Sequence, residues 1–85
     1  METRVAVMGI IVEEQDSVET LNALLHEYGD HIVGRMGIPY RERGINVISI
    51  IIDAPQDLIS ALSGKIGNLS GVSVKTAYSN VTSVN

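Results

Sequence analysis

Residues 3–13, TRVAVMGIIVE, carry apolar side chains at both parities: Val5, Val7 and Ile11 on one side, Ala6, Met8, Ile10 and Val12 on the other. A run so rich in β-branched residues predicts a strand covered on both faces. Residues 45–53 repeat the pattern, with Val47 and Ile51 set against Ile48, Ile50 and Ile52. Between these strands the period changes. Val18, Leu21, Leu24, Leu25 and Tyr28 fall on one side of a helix. Asp16 is its expected N-cap with Glu19 at the capping-box spacing, and Gly29 its expected left-handed stop. A second helix is expected after Asp53 as N-cap, with Pro55 in the first turn, Leu58, Ile59, Leu62 and Ile66 inward, and Gly67 at the end. Two weaker strands complete the series. Residues 31–38 are interrupted by Gly34 and Gly37, and Pro39 should end that strand or hold it at an edge. Residues 72–80 alternate apolar and polar, as an edge strand with one solvated face does, and residues 81–85 are expected to fray.

The order β-α-β-β-α-β predicts an α+β, ferredoxin-like domain spanning residues 1–85: a four-stranded antiparallel sheet, order 4-1-3-2, with two helices on one face. The two strands with apolar residues at both parities are those that this topology places in the middle. The helices cover only one face, which leaves apolar side chains over. Met8, Ile10, Val12, Ile48, Ile50 and Ile52 are the candidate set for the uncovered face, although the pattern alone does not decide which parity meets the helices. Leaving six such residues in water would forfeit roughly 1.5–3 kcal/mol each, and exposed patches of that size are rare on monomers. The expectation is a homo-oligomer, at least a dimer, packed through the sheet.

Composition adds limits. There is no cysteine, hence no disulfide and no thiolate metal site. No apolar run approaches the roughly 18 residues of a membrane span, and the first residues do not read as a signal peptide, so a cytoplasmic location is expected. The net charge of −4 argues against direct contact with nucleic acid, which requires an excess of Lys and Arg. The charges are unevenly spread: six of the ten acids lie between Glu13 and Asp30, and three of the six bases between Arg35 and Arg43. Pairing of one copy's acidic region with another's basic turn would set orientation more than affinity.

Arg35, Tyr40, Arg41 and Arg43 form the candidate binding site, because guanidinium forks match carboxylate and phosphate; the competing reading is a solvated hairpin tip. His26 and His31 are weak metal candidates, on different elements and without ligand spacing. His26 also lies off the apolar stripe, facing solvent. No nucleophile–base pattern frames any serine. Glu13, Glu14 and Asp16 could in principle supply an acid–base pair, but fit more simply as a charge match to the start of the first helix. Three tyrosines without Phe or Trp make no platform for stacked bases. No cofactor is implied.

The segments IVGRMGIPYRERGINVISIIID and LSGKIGNLSGVSVKTAYS resemble the iron-only hydrogenase system regulators, over nearly the whole chain. That family is similar to the C-terminal metal-sensing domain of nickel-responsive regulators and, more distantly, to ACT domains, both of which are ferredoxin-like and assemble through their sheets. The resemblance implies a regulator linked to the assembly or expression of iron-only hydrogenase and carries over no ligand. Joined to the residue reading, it gives a non-enzymatic, oligomeric sensing or scaffold domain whose interface and Arg-rich turn bind a small anion or a hydrogenase-related protein. Nickel is not carried over, because the cysteine of the nickel site has no counterpart. An amino-acid ligand is not carried over either, because the loop Glu13-Glu14-Gln15-Asp16 lacks the ACT glycine. Only three residues precede the first strand, so a ribbon-helix-helix DNA-binding domain is not expected. A metal sensor or carrier using His26 or His31 is the alternative, and a small enzyme the more remote one.

Overall fold

The structure, a computed structural model, describes the backbone of residues 2–84 and the side chains of residues 2–82. Strand β1 (Glu2–Val12) is followed by helix α1 (Val18–Glu27), strands β2 (Ile32–Tyr40) and β3 (Ile45–Ala54), helix α2 (Gln56–Gly67) and strand β4 (Val72–Val84). The sheet order is β2-β3-β1-β4 with every neighbouring pair antiparallel. This is the ferredoxin-like arrangement expected from the sequence, with the two doubly apolar strands at the centre.

The core lies between the sheet and the two helices. Ala6, Met8, Ile10 and Val12 of β1 and Ile48, Ile50, Ile52 and Ala54 of β3 are buried against Leu21 and Leu25 of α1 and Ile59, Leu62 and Ile66 of α2. On β4, Val72 and Val74 pack at the margin of the same cluster. The even parity of the central strands thus meets the helices. All six residues expected on the uncovered face, Met8, Ile10, Val12, Ile48, Ile50 and Ile52, are at most 6% exposed beneath the helices. That assignment is corrected, and the physical reason is plain. The even set is longer and denser, so burying it removes more apolar surface from water.

Several element ends differ from expectation, each because another contact supplies what the local signal promised. Asp16 lies in a 3-10 turn at residues 15–17 ahead of α1, and no side chain caps that helix. Ser17 instead donates from Oγ to the Ser70 carbonyl at 2.6 Å. Asp53 stays in β3, paired with Val5, and Pro55 stands at the start of α2. A 3-10 turn at residues 29–31, following Tyr28, ends α1, and Gly29 is not left-handed; the positive-φ glycines are Gly44 and Gly71. Pro39 remains inside β2, opposite Asn46, tolerable because β2 is an edge. Strand β4 continues past residue 80 and pairs with residues 2–4 of β1 after a register shift; Asn85, the last residue of the segment expected to fray, lies outside the described residues. Arg4 holds this extension, donating from Nε to the Ser79 carbonyl at 2.9 Å and lying 5.1 Å from the centre of the Tyr78 ring.

Candidate functional site

The hairpin joining β2 to β3 is built around a 3-10 turn, Arg41–Arg43, closed by Gly44 at φ 66°. That left-handed conformation is open to glycine at no steric cost, and the Gly44 N–H donates to the Arg41 carbonyl at 3.1 Å. Behind the hairpin lies a shallow cavity of about 380 Å3, lined by Gln15, Pro39, Arg41, Gly44, Ile45 and Asn46. Asn46 donates from Nδ2 to Gln15 Oε1 at 3.2 Å across it. The cavity therefore sits where the β1–α1 connection meets the hairpin, with one guanidinium and two amides at its wall.

The four candidate binding residues are divided by the fold. Arg41 lines the cavity, whereas Arg43 and Tyr40 are exposed beside it. Arg35 stands opposite Ile50, on the helix-covered side, and donates to Asn22 Oδ1 of α1 at 3.0 Å. Four residues of strand separate it from Tyr40, so it does not join the hairpin cluster. Of the four arginines, Arg4 and Arg35 have side-chain partners, while the guanidinium groups of Arg41 and Arg43 have none among the described residues. Asn46 and Gln15, which no local pattern singles out, are brought in only by the pairing of β3 with the end of β1.

The acids after β1 serve a structural clasp. The Glu13 N–H donates to the Gly71 carbonyl at 2.7 Å, and Ser70 Oγ donates to Glu14 Oε2 at 2.8 Å. Together with the bond from Ser17, these contacts fasten the β1–α1 connection to the α2–β4 connection. His26 is exposed on α1 and His31 half-buried just before β2. Among the described residues no three His, Asp or Glu side chains gather as metal ligands. None of the described helices is long and apolar enough to cross a membrane.

The face away from the helices is the other feature of note. Across the sheet in the order β2-β3-β1-β4, its successive rows are Gly34, Ile51, Val7 and Ala77; then Met36, Ser49, Gly9 and Lys75; then Ile38, Val47, Ile11 and Ser73. Tyr40 and Ile45 extend it toward the hairpin. Met36 is 61%, Ile38 52%, Val7 43% and Ile51 42% exposed. Side chains of this kind at such exposure, all on one sheet face, make a continuous apolar surface.

The architecture defines a ferredoxin-like domain, and comparison with known proteins supplies its family. Residues 4–76 match the model of the TM1266-like family, described as "Iron-only hydrogenase system regulator, putative". The chain belongs to that family. Among solved structures it is similar to the uncharacterized protein TM1266 from Thermotoga maritima, with 36% identity and a TM-score of 0.86 over 89% of this chain and 96% of that one. Two more distant likenesses show the fold alone. One is a formyltetrahydrofolate deformylase from Pseudomonas putida KT2440, 12% identical with a TM-score of 0.65, covering 91% of this chain and 29% of that one. The other is a protein of unknown function from Galdieria sulphuraria, also 12% identical, with a TM-score of 0.62 over 93% of this chain and 46% of that one. No curated protein matches the chain.

Proposed function

We propose that this chain is a non-enzymatic regulatory module of the iron-only hydrogenase system, and that it acts through contacts made by its β2–β3 hairpin. The observation that carries this reading is the family match over residues 4–76. The hairpin is favoured as the contact because Arg41 and Arg43 project two cations without partners among the described residues, beside a cavity walled by amides. A guanidinium fork of that kind suits a carboxylate, whether on an acidic protein surface or on a small anion. Of the acids after β1, Glu14 has its carboxylate bonded by Ser70 Oγ.

The experiment is a pull-down of hydrogenase and its maturation proteins, comparing the native chain with the Arg41→Ala/Arg43→Ala double variant. The reading expects a hydrogenase-related protein bound by the native chain and lost from the variant. Capture of the same set by both would remove the hairpin from the mechanism. Failure of the native chain to capture any of them would remove the direct contact itself.

A further inference from the structure

The helix-free face of the sheet is an apolar surface that this chain does not cover. We propose that it is the contact between two copies of the chain, related by a twofold axis, with Val7 and Ile51 beside its centre. This goes beyond the hydrogenase-related reading and stands independently of it.

Three observations favour a second copy as the occupant. The first is size. Four strands about 4.8 Å apart, each contributing about eight residues at roughly 3.4 Å, present about 500 Å2 per copy. A face-to-face pair would then bury on the order of 1,000 Å2, the lower bound of a specific interface. The second is charge. Among the residues paired across this face only Asp53 and Lys75 are ionised, Lys75 on the edge strand β4 and Asp53 one pair beyond Ile51 on β3, opposite Val5. The six acids of the β1–α1 region and the arginines of the hairpin lie outside it. A strongly charged partner would find a single charge of each sign, whereas a copy of the same face meets apolar with apolar.

The third observation concerns symmetry. Among the described residues, the exposed large hydrophobic side chains outside the rows of this face are Tyr78 on the helix-covered side, with Arg4 over its ring, and Val33 and Val81, which stand singly at the register shifts of β2 and β4. A head-to-tail contact needs two different complementary patches, and the described residues offer one continuous apolar patch. A single self-complementary patch closes as an isologous pair. Gly9 and Ser49, opposite each other near the middle of the face, keep its centre low, so a second sheet can approach to the usual spacing of about 10 Å.

The test is sedimentation equilibrium of the full chain at micromolar concentration, with circular dichroism as the control for folding. The native chain is expected to have twice the mass of one chain. Val7→Asp/Ile51→Asp is expected to have the mass of one chain while keeping its helical spectrum. A native monomer overturns the proposal, and so does a dimer that survives this double substitution. Should the double variant not fold, the native protein's lack of cysteine provides a second route. In Ser49→Cys the single thiol sits on the face, so its maleimide labelling should slow about tenfold or more as concentration rises through the dimerisation range, by mass action. Labelling that is independent of concentration overturns the proposal. A dimer abolished by Arg41→Ala/Arg43→Ala instead would place the contact at the hairpin and also overturn it. The pull-down above depends on none of these outcomes, so the two readings fail separately.

Discussion

Replacing Gly71 with alanine tests the clasp that fixes the geometry of the candidate site. Gly71 has φ 69°, and a methyl group there would lie 2.5 Å from Glu14 Cγ, 2.8 Å from Glu14 Cβ and 3.0 Å from Glu14 N. The left-handed conformation alone costs a non-glycine residue about 1–2 kcal/mol. The steric part cannot be relieved by turning one side chain, because the Cβ and backbone nitrogen of Glu14 are also too near. The loop must move, and overpacking of that kind costs roughly 1–3 kcal/mol. It would also strain the Glu13 to Gly71 and Ser17 to Ser70 hydrogen bonds. The sum is about 2–5 kcal/mol, or a fall in Tm of at least about 10 °C for a domain of this size. Two controls separate the contributions. At Gly44, φ is 66° but nothing lies within 4 Å of an added methyl, so Gly44→Ala should cost only the conformational term of about 1–2 kcal/mol. Gly29 has neither a positive φ nor a neighbour within 4 Å, so Gly29→Ala should be neutral or stabilising by up to about 1 kcal/mol. Thermal melts of the three variants at one protein concentration are the assay. If Gly71→Ala loses no more than Gly44→Ala, the two connections are not held in contact and the clasp is wrong.

Other outcomes can be stated more briefly. Leu62, fully buried on α2, is expected to cost about 2–5 kcal/mol when cut to alanine, and calorimetry should show a correspondingly lower Tm. Thr76 carries a buried hydroxyl without a hydrogen-bond partner among the described residues; Thr76→Val should leave stability unchanged or raise it by about 1 kcal/mol, and a clear loss on chemical denaturation would mean that the hydroxyl is bonded. Lys65 donates from Nζ to Tyr28 Oη at 2.9 Å, and that bond, aided by the tyrosine's charge when ionised, holds the Lys65 pKa above its ordinary value. The folded value therefore exceeds the unfolded one. The associated stabilisation is fully present below the ordinary lysine range and is lost as pH rises through the folded value. An NMR titration of Lys65 in Tyr28→Phe should show a lower midpoint than in the native chain; an unchanged midpoint would sink this account.

The topology was legible because both central strands are apolar at both parities and both helices carry a clear stripe. What could not be read was which parity the helices would cover. Met8 and Val7 are equally plausible inward residues on a strand of period two, and the choice is made only when β1, β3 and both helices pack together. Helix ends were misread for a related reason. Asp16 and Asp53 have the right chemistry for caps, but Ser17 found its partner in Ser70, and Asp53 was retained by pairing with Val5. At the candidate site, arginine chemistry pointed to the hairpin, yet sequence proximity could not show that Arg35 would be turned toward Asn22. Gln15 and Asn46 are 31 positions apart, a separation at which no local pattern carries information.

The register of the open face has a bearing on how such a chain changes over time. Two adjacent residues of β1, such as Val7 and Met8, answer to different demands, one to the proposed contact between copies and the other to folding. Under the proposed contact, a polar substitution at Val7 would leave a sound but solitary molecule, and the same substitution one step along would leave none. Partner choice can therefore drift in this scaffold without passing through an unfolded ancestor.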